Sequence, residues 1–258
     1  MNILFLGDIV GKVGRKAVCD LLVDLKEKYS IDFTIANAEN AAHGKGIVES
    51  IYNELIDAGI DAITMGNHTY SKREVYDFID EADKLIVPYN FVDRKGEGYR
   101  IFEHNNKRIC IVNLLGKELM GNYMHSPYKS FKNLIIELDK QNIDIKILDF
   151  HAETTAEKRI FFEIFKNDIN VFIGTHTHIQ TADENIIDGK AYITDVGMCG
   201  PFNSILGRDI DESIKRYVYD TKTHYTVSDS PALVCGVVIS VDDSNNKIKK
   251  IERFQIKP

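Results

Sequence analysis

The sequence predicts an α/β or α+β fold, on three observations. Short apolar runs rich in Ile, Val and Phe alternate with longer amphipathic segments, the pattern of strands packed between helices. One stretch, "YRIFEHNNKRICIVNLLG", reads as a hairpin turning at Asn105-Asn106, which disfavours a purely parallel, doubly wound sheet. Across 258 residues no low-complexity linker, repeat or long charge block marks a boundary, so 1–258 is read as a single domain.

The opening "NILFLGD" is a buried strand, and "GRKAVCDLLVDLKEKYS" sets Val18, Leu21, Leu22 and Leu25 on one helical face. "DFTIANAEN" is the second strand, "VESIYNELIDAG" a helix stopped by Gly59, and "DAITMGNH" the third strand. "SKREVYDFIDEA" is predicted to be helical, with Ser71 and Glu74 spaced as a capping box. After the hairpin come a helix near 128–140, the strand "IKILDFHAE", the helix "TAEKRIFFEIFKN" and the strand "NVFIGTHTH". "KAYITDVGM" and a closing hairpin, "CGVVISVDDSNNKIKKIERFQI", return to β structure. Between about Cys199 and Pro231, Gly200, Pro201, Gly207 and a helical "RDIDESIKRYVYD" make a segment expected either to cap a site or to pack in an oligomer. Tyr217, Tyr219 and Tyr225 in it read as packing and surface aromatics before base-stacking platforms.

Composition narrows the function. With 44% hydrophobic and 28% charged residues the chain is an ordinary globular one, and a net charge of −7 argues against a stable complex with nucleic acid through a basic surface. The opening apolar run lacks a basic leader and is too short for a signal peptide or membrane span, so a cytoplasmic protein is expected, without membrane attachment. Cys19, Cys110, Cys199 and Cys235 are widely spaced and read as reduced structural thiols.

The chemistry gathers where strands stop. Asp8, Glu39 with Asn40, Asn67 with His68, His151, and His176 with His178 each close an apolar run, and ligand sites collect beyond the carboxyl ends of parallel strands. In extended backbone, residues 176 and 178 would share one side of the sheet. Singly these residues have plain readings: Asp8 as a helix cap, Asn40 and Asn67 closing turns, His68 on the surface, His151 held by a carbonyl. Jointly they make a metal site of imidazole, carboxylate and amide oxygen, suited to iron, manganese, zinc or cobalt. The donors exceed what one ion needs; two ions bridged by a shared carboxylate would use them all.

Asp8, the acid-amide pair 39–40, "GNH" at 66–68, His151 and "GTHTH" at 174–178 resemble the calcineurin-like metallophosphoesterases. Asp8 is followed by "IV" where that superfamily has x-His, Glu39 lies within "NAENAAHGKG", and "GNH" runs into "TYSKRE". With "DFHAETTAEK", "VFIGTHTHIQTAD" and "AYITDVGMCGPFNSILG", these departures resemble the YmdB family of bacterial phosphodiesterases. The resemblance implies two mixed β-sheets packed together and flanked by helices. It implies one metal on Asp8, Glu39, Asn40 and His178, and a second on Glu39, Asn67, His151 and His176, with His68 as general acid. It favours iron, with manganese or zinc as alternatives, and 2′,3′- and 3′,5′-cyclic nucleotides as substrates cleaved by a metal-bridging hydroxide. His43 and Lys45, in the Gly-rich loop "AAHGKG", are candidates for substrate contact, or simply part of a solvated turn. The rival readings are a phosphomonoesterase or nuclease on the same metals, and a nucleotide-sensing regulator with weak catalysis; a homo-oligomer and an RNA-processing protein partner are compatible with either.

Overall fold

In chain order the elements are β1 (Asn2–Leu6), β2 (Asp8–Ile9), α1 (Gly11–Tyr29), β3 (Phe33–Asn37), α2 (Glu49–Asp57), β4 (Ala62–Thr64), α3 (Val75–Phe78) and β5 (Leu85–Ile86). They continue with β6 (Tyr99–His104), β7 (Lys107–Leu115), α4 (Pro127–Leu138), β8 (Ile145–His151), α5 (Thr155–Phe165), β9 (Val171–Thr175), β10 (Asn185–Ile187) and β11 (Lys190–Ile193). The last are β12 (Met198–Pro201), α6 (Ile210–Tyr219), β13 (Ala232–Val241) and β14 (Ile248–Ile256). This computed structural model describes residues 1–224 and 226–258, so Tyr225 lies outside the described residues; Tyr217 and Tyr219 are exposed on α6.

The strands make two mixed sheets. One runs β2-β12-β13-β1-β3-β4-β5, with β14 paired to β13, and the other β10-β11-β9-β8-β7-β6. Strand alternation sorts the side chains into layers. Ile3, Phe5, Phe33 and Ile35 meet Ile109, Ile111, Ile145, Ile147, Val171 and Ile173 between the sheets. The alternate positions Leu4 and Leu6 pack under Val18, Leu22 and Leu25 of α1. On the far side Val112, Leu148, Phe150 and Phe172 pack under α4 and α5 through Phe131, Phe161 and Phe162. The result is a helix-sheet-sheet-helix stack, as the family resemblance implied. Among the described residues no helix is long and apolar enough to cross a membrane.

The hairpin turns at Asn105 and Asn106, both with positive φ (49° and 59°), as a two-residue turn between right-twisted strands requires. Two expectations fail, and so does the plain reading of Asp8 taken singly. Only Val75–Phe78 of the predicted 71–82 helix is helical, and Ser71 and Glu74 form no capping box: the Ser71 hydroxyl faces His68, and the Glu74 carboxylate accepts the backbone N–H of Glu49 at the start of α2. Asp8 caps nothing, because it lies in β2 and the residue before α1 is Val10, whose side chain caps nothing. The strand reading of His176 and His178 also fails, since β9 ends at Thr175. The short strands β5, β10 and β12, of two, three and four residues, hold too few side chains to show a period.

Gly174 tests how tightly the second sheet is set: a Cβ there would strike the Thr194 carbonyl oxygen. Gly174→Ala is expected to destabilise the fold by about 1–3 kcal/mol, read as a lower thermal midpoint.

Candidate metal centre

The inner faces of both sheets turn polar at the carboxyl ends of their strands. On β3 the inward series Phe33, Ile35 reaches Asn37; on β8, Ile145 and Ile147 lead to Asp149 and His151; on β9, Val171 and Ile173 lead to Thr175. Asp149, fully buried, accepts from Asn37 Nδ2 at 3.1 Å and from the Thr175 hydroxyl at 2.6 Å, so it links the two sheets. Thr175 has given its only proton to Asp149 and must accept from His151 Nδ1–H at 2.8 Å. The tautomer follows: His151 turns Nε2 toward the cluster.

That Nε2 lies 3.1 Å from Glu39 Oε1, 3.0 Å from Asn67 Oδ1 and 2.9 Å from His176 Nδ1. His176 gives its other nitrogen to the Glu153 carboxylate at 3.0 Å, leaving Nδ1 for the cluster. His178 donates Nδ1–H to the Leu206 carbonyl at 3.0 Å and turns Nε2 to Asn40 at 3.1 Å and Asp8 Oδ1 at 3.9 Å. Glu39 stands between the two groups, taking Asn40 Nδ2 on Oε1 and the backbone N–H of His68 on Oε2. Gly66 makes room for it, because a Cβ there would strike Glu39 and His151.

Seven residues expected to hold metal are thus brought together: Asp8, Glu39, Asn40, Asn67, His151, His176 and His178. Asn40 shows them its Nδ2; half a turn of the carboxamide puts Oδ1 in the same place. His68 joins through its backbone, with Nδ1 3.4 Å from the Ser71 hydroxyl. The loop candidates divide. Lys45 lies close enough to His68 for its charge to act on it, whereas His43 borders a separate cavity with Gly11, Lys12 and Val227.

The donor set fits divalent metal. Asp8 Oδ1 is buried with no hydrogen-bond partner among the described residues, while Oδ2 accepts the N–H of His176 at 3.2 Å. A carboxylate oxygen without a hydrogen bond, 3.9 Å from two imidazoles, costs free energy unless a cation meets it. Burial lifts Asp8 to about 6 against the pull of His178 and His151. Burial would also lift Glu39, but the charge and hydrogen bond of His151 together with the charges of His68 and His176 hold it below the carboxylate range. His151, pushed down by burial, is carried up to about 9 chiefly by Glu39. Burial and the charge of His151 press His176 down to about 3; burial also lowers His68, against Glu39.

The histidines are held by an unusual loop. His176 and His178 have φ of 99° and 64°, a region costing about 1–3 kcal/mol for a side-chain-bearing residue. Beneath them Lys158 and Asp195, 0% and 1% exposed, pair at 2.8 Å. Lys158 also donates to the Thr175 carbonyl and Asp195 accepts from Thr177 N–H, clamping the loop at two points. Lys158, Asp195, Glu153 and Thr175 were not among the sequence candidates. Asp149 and Glu153 carry a signal, an acid two residues before and one two after His151; Lys158 and Asp195 carry none.

A family profile described as YmdB-like protein matches residues 4–254. The chain belongs to this family. It is 45% identical to a 2′,3′-cyclic-nucleotide 2′-phosphodiesterase of Bacillus subtilis, covering 99% of this chain and 97% of that one. A crystal structure of a novel phosphatase from Mycoplasma pneumoniae superposes with a TM-score of 0.93 at 40% identity, over 99% and 93% of the two chains. A 5′-nucleotidase precursor from Thermus thermophilus, 13% identical with a TM-score of 0.59 over 99% of this chain and 54% of its own, shares the fold alone.

Two outcomes are expected. A metal held by His151 would need that imidazole neutral, and it stands at about 9 here, so uptake below that pH should release a proton and weaken as pH falls; calorimetry in buffers of different ionisation enthalpy measures this. Lys158→Met leaves Asp195 buried and unpaired and is expected to cost about 3–5 kcal/mol in a denaturant titration.

Proposed function

We propose that the chain is a dinuclear-metal phosphodiesterase acting on small phosphodiesters, foremost 2′,3′- and 3′,5′-cyclic nucleotides. The observation that carries this reading is the meeting of two donor groups on one carboxylate, Glu39, beside the unpartnered Asp8 Oδ1. One ion would take Asp8, Glu39, Asn40 and His178; the other Glu39, Asn67, His151 and His176. An amide oxygen from Asn40 is harder than imidazole, which suits iron or manganese better than zinc. Bound divalent ions supply an activated water and neutralise phosphate charge. The relative named as a cyclic-nucleotide phosphodiesterase, at 45% identity, supports the same reaction class.

The protein's own part is orientation and one proton. Asp149 and Thr175 fix His151, Glu153 fixes His176, and Leu206 fixes His178, so each imidazole would hold a metal by the nitrogen already facing inward. His68 holds Nδ1 toward Ser71 and gives the proton on Nε2 to the leaving oxygen. Burial lowers its pKa, so the imidazolium that gives this proton is populated more fully as pH falls. Segment 199–231 contributes the Leu206 carbonyl and so borders the centre.

The deciding experiment is elemental analysis with hydrolysis of a 2′,3′-cyclic nucleotide before and after chelation and metal re-addition. About two transition metals per chain with chelation-sensitive turnover is the expected result; protein that cannot be loaded sinks the reading. Cyclic nucleotides, 5′-nucleotides and short RNA assayed in parallel separate it from the phosphomonoesterase and nuclease alternatives, and tight binding without turnover would favour a sensor. His68→Ala should keep both metals and lose about 100- to 10,000-fold in turnover; loss of metal with activity would make His68 a ligand.

A further inference from the structure

Beyond Asn67 the surface opens into a cavity of about 500 Å³, walled by Tyr70, Phe91 and Tyr123 and edged by Asp93 and Asn122. Small-molecule sites occupy about 300–1,000 Å³. Asn67 belongs to both places, since its amide oxygen also lies 3.0 Å from His151 Nε2. Ser71, beside His68, shares the cavity's lining. A phosphodiester at the cluster therefore lies next to an aromatic recess.

The recess is firmly built. Asn90, 1% exposed, donates to the carbonyls of Leu115 and His125 at 2.9 and 3.0 Å and accepts from Leu115 N–H at 2.8 Å. Val92 N–H reaches the Tyr123 carbonyl at 3.0 Å, and Phe91 forms a β-bridge with Met124. These bonds fasten the segment after β5 to the segment before α4. Phe91, Leu115 and Met120 form a small apolar cluster of their own, with Tyr70 and Met124 packed against it. The Phe91 and Tyr123 rings stack at 5.8 Å and 27°. Tyr123 nevertheless stays 40% exposed, in a recess whose rim is polar. Burial, then the charge of Glu39, raises its hydroxyl, so the ring lies within electrostatic reach of the carboxylate both donor groups share.

We infer that this recess is the nucleobase subsite: the base of a cyclic nucleotide stacks on the open face of Tyr123, with Asp93 and Asn122 at its polar edge, while the phosphate sits at the metal centre. Stacking tolerates any base because every base has a π-face. Tyr123 is thus a specificity residue for nucleotides over simpler phosphodiesters. The inference rests on the phosphodiesterase reading.

The test compares metal-loaded wild type, Tyr123→Ala and Tyr123→Phe on 2′,3′-cyclic AMP and on the base-free methyl riboside 2′,3′-cyclic phosphate. Tyr123→Ala is expected to lower kcat/KM on cyclic AMP about 10- to 100-fold, mainly through KM, with metal content and the base-free reaction unchanged. Tyr123→Phe should restore most of the loss. Equal losses on both substrates, or wild type handling both equally well, overturns the subsite and leaves the phosphodiesterase reading standing. If wild type hydrolyses neither, that reading falls. Calorimetric titration with adenosine then decides the subsite separately: binding lost in Tyr123→Ala upholds the recess as a base site, and binding that is absent or unchanged overturns it.

Discussion

The two sheets meet at the centre through the buried carboxylate of Asp149. It accepts from Asn37 on one sheet and Thr175 on the other, and through Thr175 it sets which nitrogen of His151 faces inward. Neither β3 nor β8 can slip by one residue within its sheet without breaking this link, because a single-residue slip turns every inward side chain of the strand outward. The hydrophobic layer between the sheets and the polar cluster at its end thus share one register. The same alternation that buries Ile145 and Ile147 delivers Asp149 and His151.

Much of this was legible because donors close apolar runs. Glu39 after "FTIANA" and His151 after "IKILDF" stand out as polar residues where a buried strand stops. The parallel core strands, the closing hairpin and the Asn105-Asn106 turn were equally visible, being long enough to show a period or ending in special turn residues. What escaped reading was carried by tertiary contact. The Leu206 carbonyl belongs to no residue type, and Lys158 with Asp195 are 37 positions apart. Ser71 and Glu74 had the right spacing for a capping box, but each found another partner. Tertiary context overrode the local pattern there, as it did for His176 and His178.

The molecule separates two tasks. Donor residues sit at or just beyond strands of the two sheets, whereas the aromatic recess is made by the connections after β4, after β5 and before α4. Asn67 is shared between them; the rest of the recess lies on connections, which vary more readily than strand ends.

The loop after β9 shows what such a centre demands of its backbone. His176 and His178 hold φ of 99° and 64°, values that glycine tolerates freely and asparagine better than histidine. Local comfort and chemistry therefore point in opposite directions at two codons separated by one. A library of this chain selected only for heat resistance would drift toward glycine or asparagine there, and its winners would be sturdy but stripped of two imidazoles of the proposed centre.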